Sequence, residues 1–328
     1  MISIYWNNGI IIKINDFEII LDPITNVNKN SSIFISHAHK DHIYGLLNEY
    51  CLKYSTPQTI AIGEVLINKK IKNIVPCNYG ESIKFHNLEL QLINSGHVFG
   101  SAALIIRSKD VTLLYTGDFN FTKTLIQEAI SPIECDIMIV EATYGKPGMV
   151  FPPREEVYLD IISWVAKTIN NGFLPILLVY PLGKAQEITK LFNKFSSIPV
   201  VTHPKISKIN EVVRNFGENL IFYDLNEDGK ELVDSRDCVV LFPFSYNTNR
   251  LRIKYPNSKI GIVTGWAILY KNIKNADISF PLSSHADYPQ LINFISKCNP
   301  KKVFTVYGYT KELARSLRKI GIDARSII

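Results

Sequence analysis

The stretch Ser36-His37-Ala38-His39-Lys40-Asp41-His42 decides how the rest of this sequence is read. It follows a short β-rich run, Ile33-Phe34-Ile35, and places four candidate ligands within six positions. Neutral imidazoles together with a carboxylate suit zinc or a similar divalent ion. Along an extended backbone His37 and His39 point the same way, because side chains alternate with a period of two. Once the chain turns, Asp41 and His42 can face a second ion close by. The competing reading is a polar surface loop, since His and Asp are mostly exposed. The whole chain has only seven histidines, and three within six positions argue for ligation.

Two later pairs complete such a site. Gly96-His97 follows Leu88-Glu89-Leu90-Gln91-Leu92-Ile93, an alternating strand pattern, and Gly117-Asp118 follows the run from Val111 to Thr116. Ile19-Ile20-Leu21 ends at Asp22, and Ile137-Met138-Ile139-Val140 ends at Glu141. These are short runs bounded by turn residues, so the first part reads as strands and not helices. Each has an acid or a His just beyond its end. Strand ends gather along one sheet edge, where such groups converge on a rigid scaffold. The two glycines would let backbone come close to a metal, and Asp118 could bridge two ions with its two oxygens.

The middle of the chain changes character. Pro153 opens a helical pattern through Val157, Ile161 and Val165 that stops near Asn171-Gly172. Leu174 to Tyr180 reads as a buried strand, and Ala185, Ile188, Leu191, Phe192 and Phe195 mark an amphipathic helix. Cys238–Phe242 and Lys259–Val263 are further strands. Such alternation predicts an α/β unit with a parallel sheet. After Ile278-Ser279-Phe280 the strand-then-ligand pattern returns at Ser283-Ser284-His285-Ala286-Asp287. Asp287 caps a helix, with Pro289 in its first turn and Gln290 reaching back. Val303–Val306 is a last strand, and Thr310 is expected to cap a final helix ending at Gly321. The domain edges expected are 1–148, 149–279 as an insertion, and 280–328.

Composition sets limits. The chain has 328 residues, 46% hydrophobic and 20% charged, which excludes a disordered or collagen-like protein. Lys and Arg exceed Asp and Glu by 36 to 30, and the net +6 weakly favours anionic partners. Five cysteines without a C-x-x-C fit a reducing cytoplasm better than a disulfide framework. No signal peptide and no run near the ~20 residues of a membrane helix are found, so a cytoplasmic protein without membrane contact is expected.

The set H-x-H-x-D-H, then separate His97 and Asp118, resembles the metallo-β-lactamase superfamily of binuclear metal hydrolases. Glu141 in Val-Glu-Ala-Thr-Tyr-Gly, the run Gly183-Lys184-Ala185-Gln186-Glu187, Thr264-Gly265-Trp266 and Ser284-His285-Ala286-Asp287 narrow the likeness to the β-CASP nucleases. The closing Gly308-Tyr309-Thr310-Lys311-Glu312-Leu313-Ala314-Arg315 is most like the small ligase-associated DNA exonucleases. The resemblance implies an αββα sandwich interrupted by an inserted β-CASP α/β domain with a mainly parallel sheet. It assigns His37, His39 and His97 to a first zinc, Asp41 and His42 to a second, and Asp118 to both. Asp22 would orient the metal-binding loop from behind. His285 would protonate the leaving oxygen, oriented by Glu141. The alternatives for these two are a helix-entry polar residue and a strand-end acid.

One position departs from the family. Where a His-Gly pair usually supplies a ligand to the second metal, this chain has Tyr307-Gly308. A neutral phenol with a pKa near 10 is a poor zinc ligand. The second site is therefore expected to be weaker or to take Mn²⁺ or Mg²⁺, with Tyr307 either coordinating or simply packing. Lys184 at a helix start, with Ser283, Ser284 and Asn120, is a candidate for phosphate contact. His86 and His203 fit no motif and read as structural or exposed. Arg250 and Arg252 read as solvated. What the resemblance implies is a metal-dependent DNA exonuclease of repair or processing, with zinc as cofactor. Single-stranded DNA would be the substrate and a DNA ligase or repair protein a partner. The alternatives are an RNA-processing nuclease and, suggested by Tyr307, a nucleic-acid-binding protein with a degraded site.

Overall fold

Isoleucine-rich segments at the N-terminus pair into a mixed sheet. Strands β1 (Ile2–Trp6), β2 (Ile10–Ile14) and β3 (Phe17–Leu21) are antiparallel, and β4 (Ser32–Phe34), β5 (Lys53–Ser55) and β6 (Ile74–Pro76) continue in parallel. The computed structural model describes residues 2–15, 17–28, 31–85, 87–270 and 272–327; His86 lies outside them. Between β5 and β6 stands a helix, α1 (Pro57–Ile67), where only strands were expected. Its signal was in the sequence. Thr56 accepts the Thr59 N–H as N-cap, and Pro57 occupies the first turn, where its missing N–H costs nothing.

A second mixed sheet contains β7 (Ser82–Phe85), β8 (Leu88–Asn94), β9 (Ala102–Arg107), β10 (Thr112–Tyr115) and β11 (Ile137–Ala142). The two sheets face each other through one apolar layer. Ile10, Ile12, Ile19 and Leu21 of the first meet Leu90, Leu104, Leu113 and Tyr115 of the second. Glu141 lies inside β11 and not beyond its end, as the sequence reading had it, because the β11 pairing runs on to Ala142.

The chain then enters a second unit, made of Thr124–Ile126 and Val150–Ser284. It holds α2 (Arg154–Asn170), β12 (Leu174–Val179), α3 (Lys184–Phe195), β13 (Val200–Thr202), α4 (Pro204–Asn215) and β14 (Tyr223–Asp224). Then come α5 (Gly229–Ser235), β15 (Val239–Pro243), α6 (Thr248–Lys254), β16 (Ser258–Val263) and β17 (Ile278–Phe280). The sheet is wholly parallel, in the order β14-β13-β15-β12-β16-β17. All six residues of β12 are buried, as a strand covered on both faces requires. One face packs on α2, α3 and α4 through Leu177, Val179, Val239 and Leu241. The other packs on α5 and α6 through Ile176, Leu178, Val240 and Phe242. The first unit resumes at His285, after β17, which still pairs with β16.

The first unit closes with α7 (Tyr288–Cys298), β18 (Lys302–Gly308), α8 (Thr310–Lys319) and β19 (Asp323–Ser326). Strand β18 pairs with β11, and β19 with β18. Helices α7 and α8 cover the outer face of the second sheet with Leu291, Phe294, Leu313 and Leu317. On the first sheet's outer face, the short turn around Gly45 sits against Ile33 and Ile35. The expected αββα sandwich and the separate parallel sheet are both present. Helix α7 begins with the reciprocal Asp287–Gln290 cap read from the sequence. Thr310 does not cap α8. It is the first helical residue, and its hydroxyl accepts from Ser326.

Phe294 is fully buried, with ring centroids 4.7 Å from Phe119 and 5.4 Å from Phe121. Phe294→Ala is expected to lower the unfolding free energy by about 3–5 kcal/mol through lost contact and a residual cavity. A shifted urea midpoint at unchanged slope would show it.

Candidate metal centre

The site is built from behind by one carboxylate. Asp22 follows β3 in a left-handed conformation, with φ 44°, and is completely buried. Its Oδ1 accepts the Ser36 N–H at 2.7 Å. Its Oδ2 is 2.5 Å from the donating Ser36 hydroxyl, 2.7 Å from the donating Tyr115 hydroxyl, and 2.8 Å from His42 Nδ1. Ser36 Oγ in turn lies 2.9 Å from His37 Nδ1. With Nδ1 of His37 and His42 both tied into this network, Nε2 is the nitrogen each offers forward. Such outer hydrogen bonds fix tautomer and ring orientation in metal sites.

Glycines let the loops of the site approach one another closely. Gly117, at φ +56°, has its missing Cβ 2.8 Å from Ser36 Cβ, and Gly96, at φ +74°, has it 2.7 Å from the Asn120 carbonyl oxygen. The close approach that glycine permits here is between the site's own loops.

Four donors converge in front of this support. His37 Nε2 and His97 Nε2 lie 3.0 and 3.1 Å from His39 Nδ1, and 3.5 and 3.7 Å from Asp118 Oδ2. Ligands about 2.0–2.1 Å from a tetrahedral zinc stand about 3.3 Å from one another, so these edges fit. The charges fit too. Burial pushes the Asp118 carboxyl up to about 7 despite the His42 ring, with Glu141 adding to the rise. Burial and the neighbouring rings of His42 and His39 hold His37 well below the usual imidazole range. A divalent cation satisfies both, drawing lone pairs from neutral imidazoles and neutralising a carboxylate.

The second ligand pair is looser. His42 Nε2 lies 3.6 Å from Asp118 Oδ2 and 3.9 Å from Asp41 Oδ2. One oxygen of Asp118 thus faces both donor sets, where the sequence reading gave each ion its own oxygen. The Asp41 side chain is 80% exposed. Tyr307 has φ 55°. Its hydroxyl is 3.4 Å from that of Tyr115 and its ring 5.1 Å from His42. Burial, with Asp22 beside it, raises the Tyr307 phenol well above the ordinary tyrosine range, so it remains neutral.

His285 is the first residue of the returning chain. Its Nδ1 lies 2.9 and 3.0 Å from the two Glu141 oxygens, and its ring is 4.4 Å from that of His97. Burial opposes a charge on Glu141, but the His285 ring, the Thr143 side chain and the Phe119 N–H hold its carboxyl below the usual range. Nε2 is the His285 nitrogen that Glu141 does not engage.

The phosphate candidates are distributed differently. Asn120 belongs to the first unit and is buried. Its Oδ1 accepts the Thr122 N–H, while Nδ2 has no partner among the described residues. Lys184, Ser283 and Ser284 lie in the second unit and are buried. Lys184 stands over the Tyr180 ring at 5.1 Å, and burial lowers its amine to about 8. Nearby, Glu187 pairs with Arg154 and Tyr158, and Arg154 also donates to the Ser283 carbonyl. All five cysteines are free and buried. Among the described residues no helix is long and apolar enough to cross a membrane.

Comparison with known proteins gives concordant likenesses. Residues 18–161 match a model described as a beta-lactamase superfamily domain, and residues 275–326 match a Zn-dependent metallo-hydrolase RNA specificity domain. A probable DNA ligase of Opitutus terrae is 32% identical over 90% of this chain, which spans 28% of that protein. DNA ligase 6 of Arabidopsis thaliana is 24% identical over 90% of the chain, which spans 23% of it. An RNase J-like protein of Methanocaldococcus jannaschii is 27% identical over 84% of this chain and 81% of its own length. A crystal structure of an Enterococcus faecalis protein of unknown function superposes with a TM-score of 0.69 at 14% identity, covering 99% and 97% of the two chains.

If Asp22 holds the ligand loop as described, Asp22→Ala removes the acceptor of three donors, the Ser36 N–H and the Ser36 and Tyr115 hydroxyls, and of the His42 ring in a dry interior. The expected cost is on the order of 3 kcal/mol, accompanied by lower zinc content. Thermal unfolding together with metal analysis of the purified variant checks both.

Proposed function

Because the chain belongs to the metallo-β-lactamase superfamily and carries its β-CASP-type insert, we propose that it hydrolyses phosphodiester bonds in nucleic acid, most specifically as a DNA exonuclease. The observation that carries this reading is the meeting of a four-donor cation site with the Glu141–His285 pair. His37, His39, His97 and Asp118 would hold a first zinc; His42 and Asp41, with Asp118 shared, would hold a second ion, for which Mn²⁺ or Mg²⁺ are candidates. When bound, such ions acidify water and stabilise charge on phosphoryl oxygens.

The chain's own residues do the rest. Asp118 presents one carboxylate oxygen to both donor sets and fixes their separation. Asp22 fixes the tautomers behind them. Glu141 orients His285 through Nδ1, so that Nε2 delivers a proton to the departing sugar oxygen. The products are a 5′-phosphate and a 3′-hydroxyl. The DNA reading is supported by ligase relatives that match 90% of this chain. The match occupies about a quarter of each, and a DNA ligase is the partner we infer. A second reading, an RNA-processing nuclease, draws support from the RNA specificity domain at 275–326 and the RNase J-like relative.

End-labelled single- and double-stranded DNA and RNA of one sequence, digested side by side with Zn²⁺, Mn²⁺ or Mg²⁺ restored after chelation, separate the two. Faster loss of single-stranded DNA is expected, and cleavage of RNA alone overturns the DNA assignment. Asp118→Ala is expected to abolish cleavage and lower metal content. His285→Ala is expected to slow cleavage roughly 10²–10⁴-fold with metal content unchanged. A wild-type rate for purified His285→Ala would remove it from proton donation.

A further inference from the structure

The second unit contains a cavity of about 560 Å³ that no step above uses. Its position follows from topology. Strands β13 and β15 are neighbours in the parallel sheet. Helix α4 leaves β13 toward one face of the sheet, where Ile206 packs, and α6 leaves β15 toward the other, where Leu251 packs. Adjacent strands whose connections part to opposite faces open a crevice at their carboxyl ends, and ligands of open α/β sheets bind in such crevices. The cavity is lined by Phe242 near the end of β15, by His203, Asn226 and Tyr246 beyond β13, β14 and β15, and by Arg250 and Lys254 of α6. Its volume is that of a small-molecule site.

The lining has two parts. Phe242, His203 and Tyr246 form an aromatic cluster, with ring centroids 4.9 Å apart for His203–Tyr246, 5.1 Å for Phe242–Tyr246 and 5.4 Å for His203–Phe242. His203 Nδ1 accepts the Lys205 N–H, so Nε2 carries the ring proton and donates it to the Tyr246 oxygen at 2.6 Å. That leaves the Tyr246 proton to give to a ligand. Burial, with Lys205 and Lys254 nearby, keeps His203 below the usual imidazole range and so neutral. Arg250 and Lys254 stand four residues apart on α6, hence on one helix face, and are exposed. Asp224, whose charge bears on His203, accepts the Asn226 N–H at its Oδ1. Paired cations beside aromatic rings match a phosphate joined to a heterocyclic base.

We propose that this cavity binds a nucleoside 5′-monophosphate, with the phosphate on Arg250 and Lys254 and the base against Tyr246 and His203. The inference rests on the second unit alone and holds whether or not the first unit is a nuclease. Calorimetric titration of the intact Asp118→Ala protein with adenosine 5′-monophosphate tests it, because the proposed cation site is then disabled. Saturable binding is expected, with adenosine and inorganic phosphate each at least tenfold weaker. R250Q/K254Q should weaken the nucleotide at least tenfold and leave nuclease activity in the Asp118-containing protein unchanged. Y246A should weaken nucleotide and adenosine alike. No saturable binding, equal binding by inorganic phosphate, or undiminished binding by R250Q/K254Q each overturns the proposal. Competition by a 5′-phosphorylated tetranucleotide tells a strand end from a free nucleotide as the source of the same chemistry.

Discussion

The buried carboxylate of Asp22 is the constraint on which the centre depends. A charged oxygen pair in a dry interior must be fully hydrogen-bonded, and this one meets Ser36, His42 and Tyr115. Those three residues come from the loop after β4, from the turn beyond it and from the second sheet. Satisfying one carboxylate therefore aligns the loop that bears His37 and His39 with the opposite sheet that bears Asp118. The isoleucine layer between the sheets holds the two halves at a fixed distance, and the Asp22 network sets which nitrogen of each ring looks outward. Neither would suffice alone, since apolar packing is non-directional.

Much of this was legible in residue order. The histidine-rich turn after β4, the pairs at His97 and Asp118, and the cap at Asp287 rest on local rules, and local rules are visible one segment at a time. What could not be read required partners far away in sequence. Tyr115 looks like a core tyrosine until Asp22, 93 positions away, accepts its hydrogen bond. Lys184 is buried with Arg154, thirty positions earlier, among the charges that bear on it, which no local pattern announces. Gly96 and Gly117 were rightly singled out as needing close approach, but what approaches them is set by tertiary packing. Helix α1 is a different case, since Thr56-Pro57 was a sufficient local cue beneath a stronger run of strands.

The two units also divide the chemistry by architecture. In the first, functional groups hang from loops joining two face-to-face mixed sheets, so donors approach from several directions and can enclose an ion. In the second, a parallel sheet exposes one row of strand ends, which favours a crevice over a cage. Each unit bears the kind of site its strand directions allow.

The partner of Glu141 arrives 144 residues later in the chain. During synthesis, every donor of the His37, His39, His97 and Asp118 set emerges before the insert begins, whereas His285 emerges only after it. Strand β11 waits as an unprotected edge until β18 is made. A nascent chain thus completes the four-donor cluster well before the Glu141–His285 pair can form.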